Sequence, residues 1–369
     1  DVIRYWVSEF DVDGIRLDAA DVLDFDFMRM LRRTAEEVKP DFWLMGEVIH
    51  GDYSRWVNGE TLHSVTNYAL HKALYSGHND HNYFEIAHTV KYLQNMGNLD
   101  LYNFVDNHDV ERIYTKLSNK AHFTPVHILL YTLPGVPSIY YGSEFGIEGR
   151  KERSSDDSLR PALSLDDYET ALGDNPCTAL IAALGQIRQH TPALSYGSYA
   201  ELHLTNRQFA FARDLNDVRV VVTVNNDDNA ASMDLPAGNA VEYIGALSGQ
   251  KVAVQDGRIN VTVPANSGEI WVPSGDMPEY KPFKVEISVK EETVTDEESI
   301  PADSEAPSSA TEPVHFDPNK SPEDMSVAEL QAAILAKMAN NGPVSDQMKK
   351  TVNENIWHDS LVNWLKSFR

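Results

Sequence analysis

The chain has 369 residues and a formal net charge of −25, from 56 acidic and 31 basic side chains. A polyanion or an anionic membrane surface would repel that charge, which excludes nucleic-acid and membrane partners, and no apolar run approaches the roughly 20 residues that span a bilayer. The single cysteine, Cys177, excludes an internal disulfide framework and favours a reducing, cytoplasmic compartment over secretion.

In chain order, "VDGIRLD" predicts a strand, followed by helical spacing at Phe27, Met30, Leu31, Ala35 and Val38 that stops at Pro40. "FWLMGEV" predicts a second strand and "HSVTNYA" a third, with helical sequence after it at Leu70 and Leu74. "LDLYNFVDNHD" is a fourth, followed by "PVHILLYTLPG" as a helix; "VPSIYYGSEFG" is a fifth, and Leu180, Leu184 and Ile187 mark a closing helix. Strand–helix alternation implies a parallel sheet covered by helices. The fold class over residues 1–195 is therefore α/β, with five strand–helix units of the eight that a (β/α)8 barrel needs. Asp18, Glu47, Asn67, Asp109 and Glu144 fall at the C-terminal ends of these strands, the catalytic face of such a barrel.

Residues 196–273 change character: "QFAFARD", "VRVVVTVNN", "INVTVPA" and "GEIWVP" are short, alternating and separated by turn residues, which predicts an antiparallel β-sandwich domain. Residues 274–324 are rich in Glu, Asp, Pro and Ser and read as an acidic linker. Residues 325–369 read as a helical extension, opened by a capping box of Ser326 and Glu329. One helix carries Val327, Leu330, Ile334 and Met338 on a face; a second runs from Ser345 through Met348, Val352, Ile356, Leu361 and Leu365. Trp357 and Trp364 fit a buried stripe of that helix better than a sugar-stacking surface, and the extension is a candidate for pairing subunits into a homo-oligomer.

Arg16 and Asp18 pose a specific question. Two residues apart on a strand, they point to the same face, and two charges on a buried strand cost several kcal/mol unless they are paired or used. Asp18, Glu47 and Asp109 are each explicable alone as a loop carboxylate or a helix cap. Together, at the ends of three strands, they match the carboxylate pair of retaining glycoside hydrolysis, one attacking and one trading a proton, about 5–5.5 Å apart. The doublet His108-Asp109 also occurs in metal-dependent phosphohydrolases, a weaker reading that needs further His and Asp ligands at helical spacing. "HNDHN" at 78–82 reads as a polar surface loop.

"DGIRLDAAD", "GEVIH" and "FVDNHD", in that order, resemble three segments of the α-amylase family of glycoside hydrolases, and "GVPSIYYGSEFG" resembles that family's eighth-strand segment. The likeness extends over residues 1–273 and is nearest to neopullulanase-like and cyclomaltodextrinase-like members. It implies cleavage of α-1,4-glucosidic bonds in starch, maltodextrins or related α-glucans by double displacement. Asp18 would be the nucleophile, held ionised by Arg16; Glu47 the general acid/base, in an apolar setting of Phe42, Trp43 and Met45; Asp109, with His108, would bind the sugar hydroxyls. His50, Val48 and Asn107 would line the leaving-group side, and Asp156 and Arg160 in "SDDSLRPAL" would hold a glucose on the non-reducing side. Asn67 and Tyr68 resemble a strand-six segment, with a structural role equally implied.

The sequence also departs from the family. Its first three barrel strands and the inserted domain that often holds calcium are absent, so no cofactor is evident and calcium enters only through a missing N-terminal part. Opening on Asp1 inside such a segment, the sequence is expected to lack its natural start, and any targeting signal with it. Five strands leave open edges, so the isolated chain is expected to aggregate or be inactive while the complete gene product hydrolyses α-glucans. Ser143 stands where the family usually has an acid, beside Glu144. A 4-α-glucanotransferase of the same family shares the intermediate and remains open, as does a non-catalytic glucan-binding member, which typically lacks one of the three carboxylates.

Overall fold

The computed structural model describes residues 1–276, 320–321, 325–340 and 365, and the chain divides into two compact units, Asp1–Glu291 and Glu292–Arg369. The first opens with α1 (Val2–Phe10), which the sequence reading did not anticipate, and β1 (Gly14–Leu17). Helix α2 (Phe25–Val38) follows, its first turn capped by Asp24, whose side chain accepts from Phe27 N at 3.0 Å. β2 (Trp43–Gly46) pairs parallel to β1 from Gly14↔Trp43 to Leu17↔Gly46, and β3 (Ser64–Val65) pairs parallel to β2. The single helix expected next is two, α3 (Tyr68–Asn79) and α4 (Tyr83–Gln94). β4 (Tyr102–Phe104), α5 (Ile113–Lys116), α6 (Phe123–Thr132) and β5 (Val136–Ser138) complete the alternation, β5 lying parallel to β4. A parallel bridge, Thr66↔Tyr102, links the two groups of strands, so β1 to β5 form one arc in sequence order.

Among the described strands β1 pairs only with β2. Its outer side is therefore open, and the side chains of Arg16 and Asp18 are 34% and 81% exposed rather than buried. Exposed to that extent and paired with each other, the two charges carry only a small desolvation cost in this chain. "HNDHN" also differs from a surface loop, because His78 is fully buried on α3 with Nδ1 2.6 Å from Leu74 O.

Helices α7 (Ala171–Asp174), α8 (Pro176–His190) and α9 (Pro192–Tyr196) lead into the β region. There β6 (Ser198–Leu204), β7 (Gln208–Leu215), β8 (Val218–Asn225), β10 (Glu242–Gly245), β11 (Lys251–Ala253) and β13 (Ser267–Pro273) make one antiparallel sheet in the order β11-β10-β13-β8-β7-β6. β9 (Ala231–Pro236) and β12 (Arg258–Val263) form a second layer. Between the layers Ala210, Val221, Met233, Tyr243, Val261 and Trp271 are buried, the alternation of a sandwich. The large sheet's other face shares a core with the helices: Phe209, Phe211, Val222 and Ile270 pack in one cluster with Ile128, Leu129, Leu184 and Ile187. Arg213 seals this seam by donating to Thr132 O at 2.6 Å and Gly197 O at 2.9 Å.

In the second unit α10 (Val327–Asn340) starts at the expected capping box: Glu329 N donates to Ser326 Oγ at 3.3 Å and Ser326 N to Glu329 Oε2 at 2.7 Å. Leu330 and Ile334 are buried. Most of the acidic linker and the helix expected from Ser345, with Trp357 and Trp364, lie outside the described residues.

Candidate active site

The polar side chains gather just beyond the C-terminal ends of the parallel strands. Asp18 follows β1 directly. The next residue, Ala19, adopts a left-handed conformation (φ 42°, ψ 48°), a cost of about 1–2 kcal/mol for a residue with a Cβ. The turn sends Ala19 N toward Glu47 Oε2 at 3.2 Å and Ala20 N to Glu47 O at 2.8 Å. Glu47 follows β2, after Gly46. A Cβ on Gly46 would stand 2.5 Å from Leu62 Cδ1 and 2.7 Å from Ala20 Cβ, so only glycine lets the Asp18 turn and the Glu47 strand approach this closely.

Arg16 is the hinge of this first group. Its Nη1 lies 2.9 Å from Asp18 Oδ1 and its Nη2 2.9 Å from Glu47 Oε2. The arginine expected to serve Asp18 alone therefore contacts both carboxyl groups, placing them on two nitrogens of one guanidinium. The Glu47 side chain is only 13% exposed, whereas Asp18 is open to solvent; in the segment leading to Glu47, Phe42, Leu44 and Met45 are buried and Trp43 is half-buried.

A second group follows β4. Asn107 Oδ1 accepts from the backbone N–H of Asp109 at 2.9 Å and of Val110 at 3.1 Å, which folds the chain back and presents His108 and Asp109. His108 Nε2 is 3.1 Å from Asp109 Oδ2, and Arg160 Nη2 is 2.8 Å from Asp109 Oδ1. Arg160 also contacts Asp156 Oδ2 at 3.0 Å and donates from Nε to His108 O at 3.0 Å. Lys151 bonds Asp156 on its other oxygen and, as the largest cause, holds that carboxyl below its ordinary range. Asp156 and Arg160 thus sit at the Asp109 turn. His50 is exposed in the loop after β2, beyond the buried Val48.

The two groups meet through Tyr68, whose hydroxyl is 3.5 Å from Glu47 Oε1 and accepts from Asn107 Nδ2 at 3.2 Å. Beneath them lies a network that sequence reasoning missed. Asp106 is fully buried, its Oδ2 accepting from Ile113 N and from Ser143 Oγ, both at 2.7 Å. Arg112, also fully buried, reaches Ser143 Oγ at 3.2 Å and stacks 4.3 Å from the Tyr140 ring centroid. Burial pushes the Asp106 carboxyl up to about 6 despite these donors. Ser143, singled out as a departure from the family pattern, is the donor that ties β5's end to β4's. The signal for Asp106 was present in "FVDNHD": two residues after Phe104, it falls on the same, buried face of an extended chain. Among the described residues no group of three His, Cys, Asp or Glu side chains is placed to hold a metal ion, and no helix is long and apolar enough to cross a membrane.

Residues 1–179 match the family model for the alpha amylase catalytic domain, and residues 197–271 match that for the alpha-amylase C-terminal domain. The chain belongs to the α-amylase family. It is 30% identical to a cyclomaltodextrinase of Thermoanaerobacter pseudethanolicus over 61% of this chain and 39% of that protein. It is 27% identical to neopullulanase 2 of Thermoactinomyces vulgaris over 73% of this chain and 46% of that protein. An Anoxybacillus α-amylase crystal structure superposes with a TM-score of 0.66 at 23% identity, over 76% of this chain and 62% of that one. The chain spans about half the length, or less, of these curated relatives. Within the α-amylase fold, β1 to β5 are a run of barrel strands and β6 to β13 the C-terminal β domain.

Proposed function

We propose that the protein carrying this chain is a retaining glycoside hydrolase that cleaves α-1,4-glucosidic bonds in maltodextrins, cyclodextrins or related α-glucans. The observation that carries the reading is the shared guanidinium: Asp18 and Glu47, at the ends of neighbouring parallel strands, each place an oxygen 2.9 Å from a different nitrogen of Arg16. Retaining chemistry needs two carboxyl groups about 5–5.5 Å apart, with no room for a water between substrate and nucleophile, and a shared guanidinium supports such a pairing. The names of the two relatives, a cyclomaltodextrinase and a neopullulanase, support the substrate class.

In this reading Arg16 engages Asp18 Oδ1, and Oδ2 attacks the anomeric carbon. Glu47 gives its proton to the departing glycosidic oxygen, then takes one from the water that releases the sugar from Asp18. Asp109 accepts hydrogen bonds from sugar hydroxyls on the same residue, and His108 donates one. Arg160 and Asp156 reach the next glucose on the non-reducing side. His50 and Asn107 line the leaving-group side.

The decisive experiment is Glu47→Gln in the full-length protein, expected to lower turnover of maltodextrin by about 10²–10⁴-fold. Turnover within tenfold of the parent would defeat the assignment. Proton NMR of the first product should show the α-anomer, and a fluorinated glycosyl fluoride should label Asp18 covalently. Longer oligosaccharides from maltoheptaose would establish transfer in place of hydrolysis.

A further inference from the structure

Tyr68 is the first residue of α3, and its placement is unusually determined. Asn67 N donates to Tyr102 O at 2.9 Å, Asn67 Nδ2 to Asn103 Oδ1 at 2.8 Å, and Asn67 Oδ1 caps the helix at Leu70 N, 3.0 Å. The Tyr68 ring meets Phe104 edge-on, with centroids 4.9 Å apart and planes at 80°. His71 backs the same Phe104 face to face at 4.9 Å and 13°. With the ring pinned at both ends, the hydroxyl has little freedom beyond rotation of its proton.

That proton has one direction to go. Asn107 Oδ1 is committed to two backbone N–H groups, so Asn107 must present its amide hydrogens to Tyr68, and the phenol oxygen is an acceptor on that side. The phenol O–H is then left to point at Glu47 Oε1, 3.5 Å away. The two Glu47 oxygens are consequently unequal. Oε2 faces the Arg16 guanidinium and accepts from Ala19 N; among the described residues Oε1 meets only the longer Tyr68 contact.

We infer that Tyr68 is a positioning residue for proton transfer, fixing Glu47 Oε1 as the oxygen that carries the mobile proton and coupling it through Asn107 to the turn that presents Asp109. The inference rests on the reading of Glu47 as acid/base and deepens it. When Glu47 is protonated on Oε1 its proton is free for the glycosidic oxygen. When Glu47 is ionised, after the transfer, the phenol donates to Oε1 and stabilises the carboxylate. The hydrogen bond is thus stronger after the leaving group has been protonated than before, which is where a contact accelerates a reaction.

The test is Tyr68→Phe in the full-length protein, with melting temperature as the folding control. On maltotriose, whose leaving group needs a proton, kcat/KM should fall about tenfold or more. On a dinitrophenyl α-glycoside, whose leaving group departs without one, the fall should be below about threefold. Loss of a donor to the ionised carboxylate should move the basic limb of the kcat/KM profile to higher pH. Equal losses on both substrates with an unmoved limb would overturn the inference, since that is what a merely structural tyrosine gives. Should Tyr68→Phe fold poorly, 3,5-difluorotyrosine at position 68 keeps the shape and strengthens the donor, so the basic limb should move to lower pH; an unmoved limb overturns the inference. Glu47→Gln run alongside separates the two ideas: an active Glu47→Gln defeats the acid/base reading, whereas an inactive one beside an unaffected Tyr68→Phe defeats only the role of Tyr68.

Discussion

The strands beneath the carboxylates are two to four residues long, whereas β7 and β8 of the sandwich run eight each. In the sandwich the buried residues form long runs, and the few buried ionisable groups are fully tied down: Glu269 accepts from the N–H groups of Leu247, Ser248 and Ile270 at 2.8–2.9 Å. In the strand–helix half, regular pairing stops early. Backbone and side chains beyond the strand ends then arrange themselves around one another, at Ala19, at Asn107 and at Ser143. Stability and chemistry are divided accordingly: long ladders where nothing reacts, short ones where polar groups must be left over.

Acid should separate the two regions most strongly. His71 and His78 on α3 are held by burial at about 3, and His127 on α6 at about 4, all below the ordinary 6.5. Unfolded, these histidines bind protons below pH 6.5 that the folded chain refuses, so the stability they contribute is present above 6.5 and is lost as pH falls toward 4. Each adds a slope of up to about 1.4 kcal/mol per pH unit. Asp106, raised to about 6, and Glu269, also raised by burial, act in the opposite sense: their folded forms take up protons first, so acid favours them. Burial lowers His63 and His122 as well, so five histidines stand against the buried Asp106 in the strand–helix half, whereas the buried carboxyl of the sandwich is Glu269. Hydrogen exchange at pH 4.5 should show α3 and α6 losing protection before β7 and β8. Simultaneous loss would break the comparison and make the shared core one cooperative unit.

Trp271→Ala removes the largest buried side chain of the sandwich and takes away the Nε1 donor that Thr223 Oγ1 accepts at 3.0 Å, leaving that hydroxyl its longer bond to Glu269 O. Urea titration should register a loss of about 3–5 kcal/mol, with KM for maltodextrin in the full-length protein unchanged below the new melting point. Gly46→Ala strikes the other region. The added methyl forces Leu62 or Ala20 aside, and about 1–3 kcal/mol of stability should be lost; because Ala20 belongs to the Asp18 turn, kcat should fall with it. Smallest is Ala19→Gly. It relieves the left-handed strain at the cost of backbone entropy, and a net gain of about 0.5–1 kcal/mol by thermal melting is expected.

The fold was largely legible because periodicity survives in short pieces. "VDGIRLD" and "FWLMGEV" announced β1 and β2, and the alternation in "INVTVPA" announced β12, each at nearly its true position. Two things were hidden. The break between α3 and α4 has no proline or glycine; it is made by His81 at φ 48° and by Tyr83 N reaching Asn206 O at 2.9 Å in the distant β6–β7 turn. A local reading has no access to such a partner. The exposure of Arg16 and Asp18 depends on what lies beside β1, which is likewise a property of neighbours and not of the strand. Within the site, motif order located Arg16, Asp18, Glu47 and Asp109. It could not show that one guanidinium is shared, because the second contact crosses 31 positions of sequence, nor that Tyr68 joins the two groups.

The seam sealed by Arg213 bears on how this polypeptide can be cut or recombined. Helices α6 and α8 have their outer flank against β-sheet side chains such as Phe209, Phe211 and Ile270, not against water. A gene truncated after residue 196 would leave those helices with a greasy flank and the carbonyl of Thr132 without its arginine. Grafts from related enzymes should therefore carry helix and sheet as a matched pair, with the crossover placed where no side chains interlock.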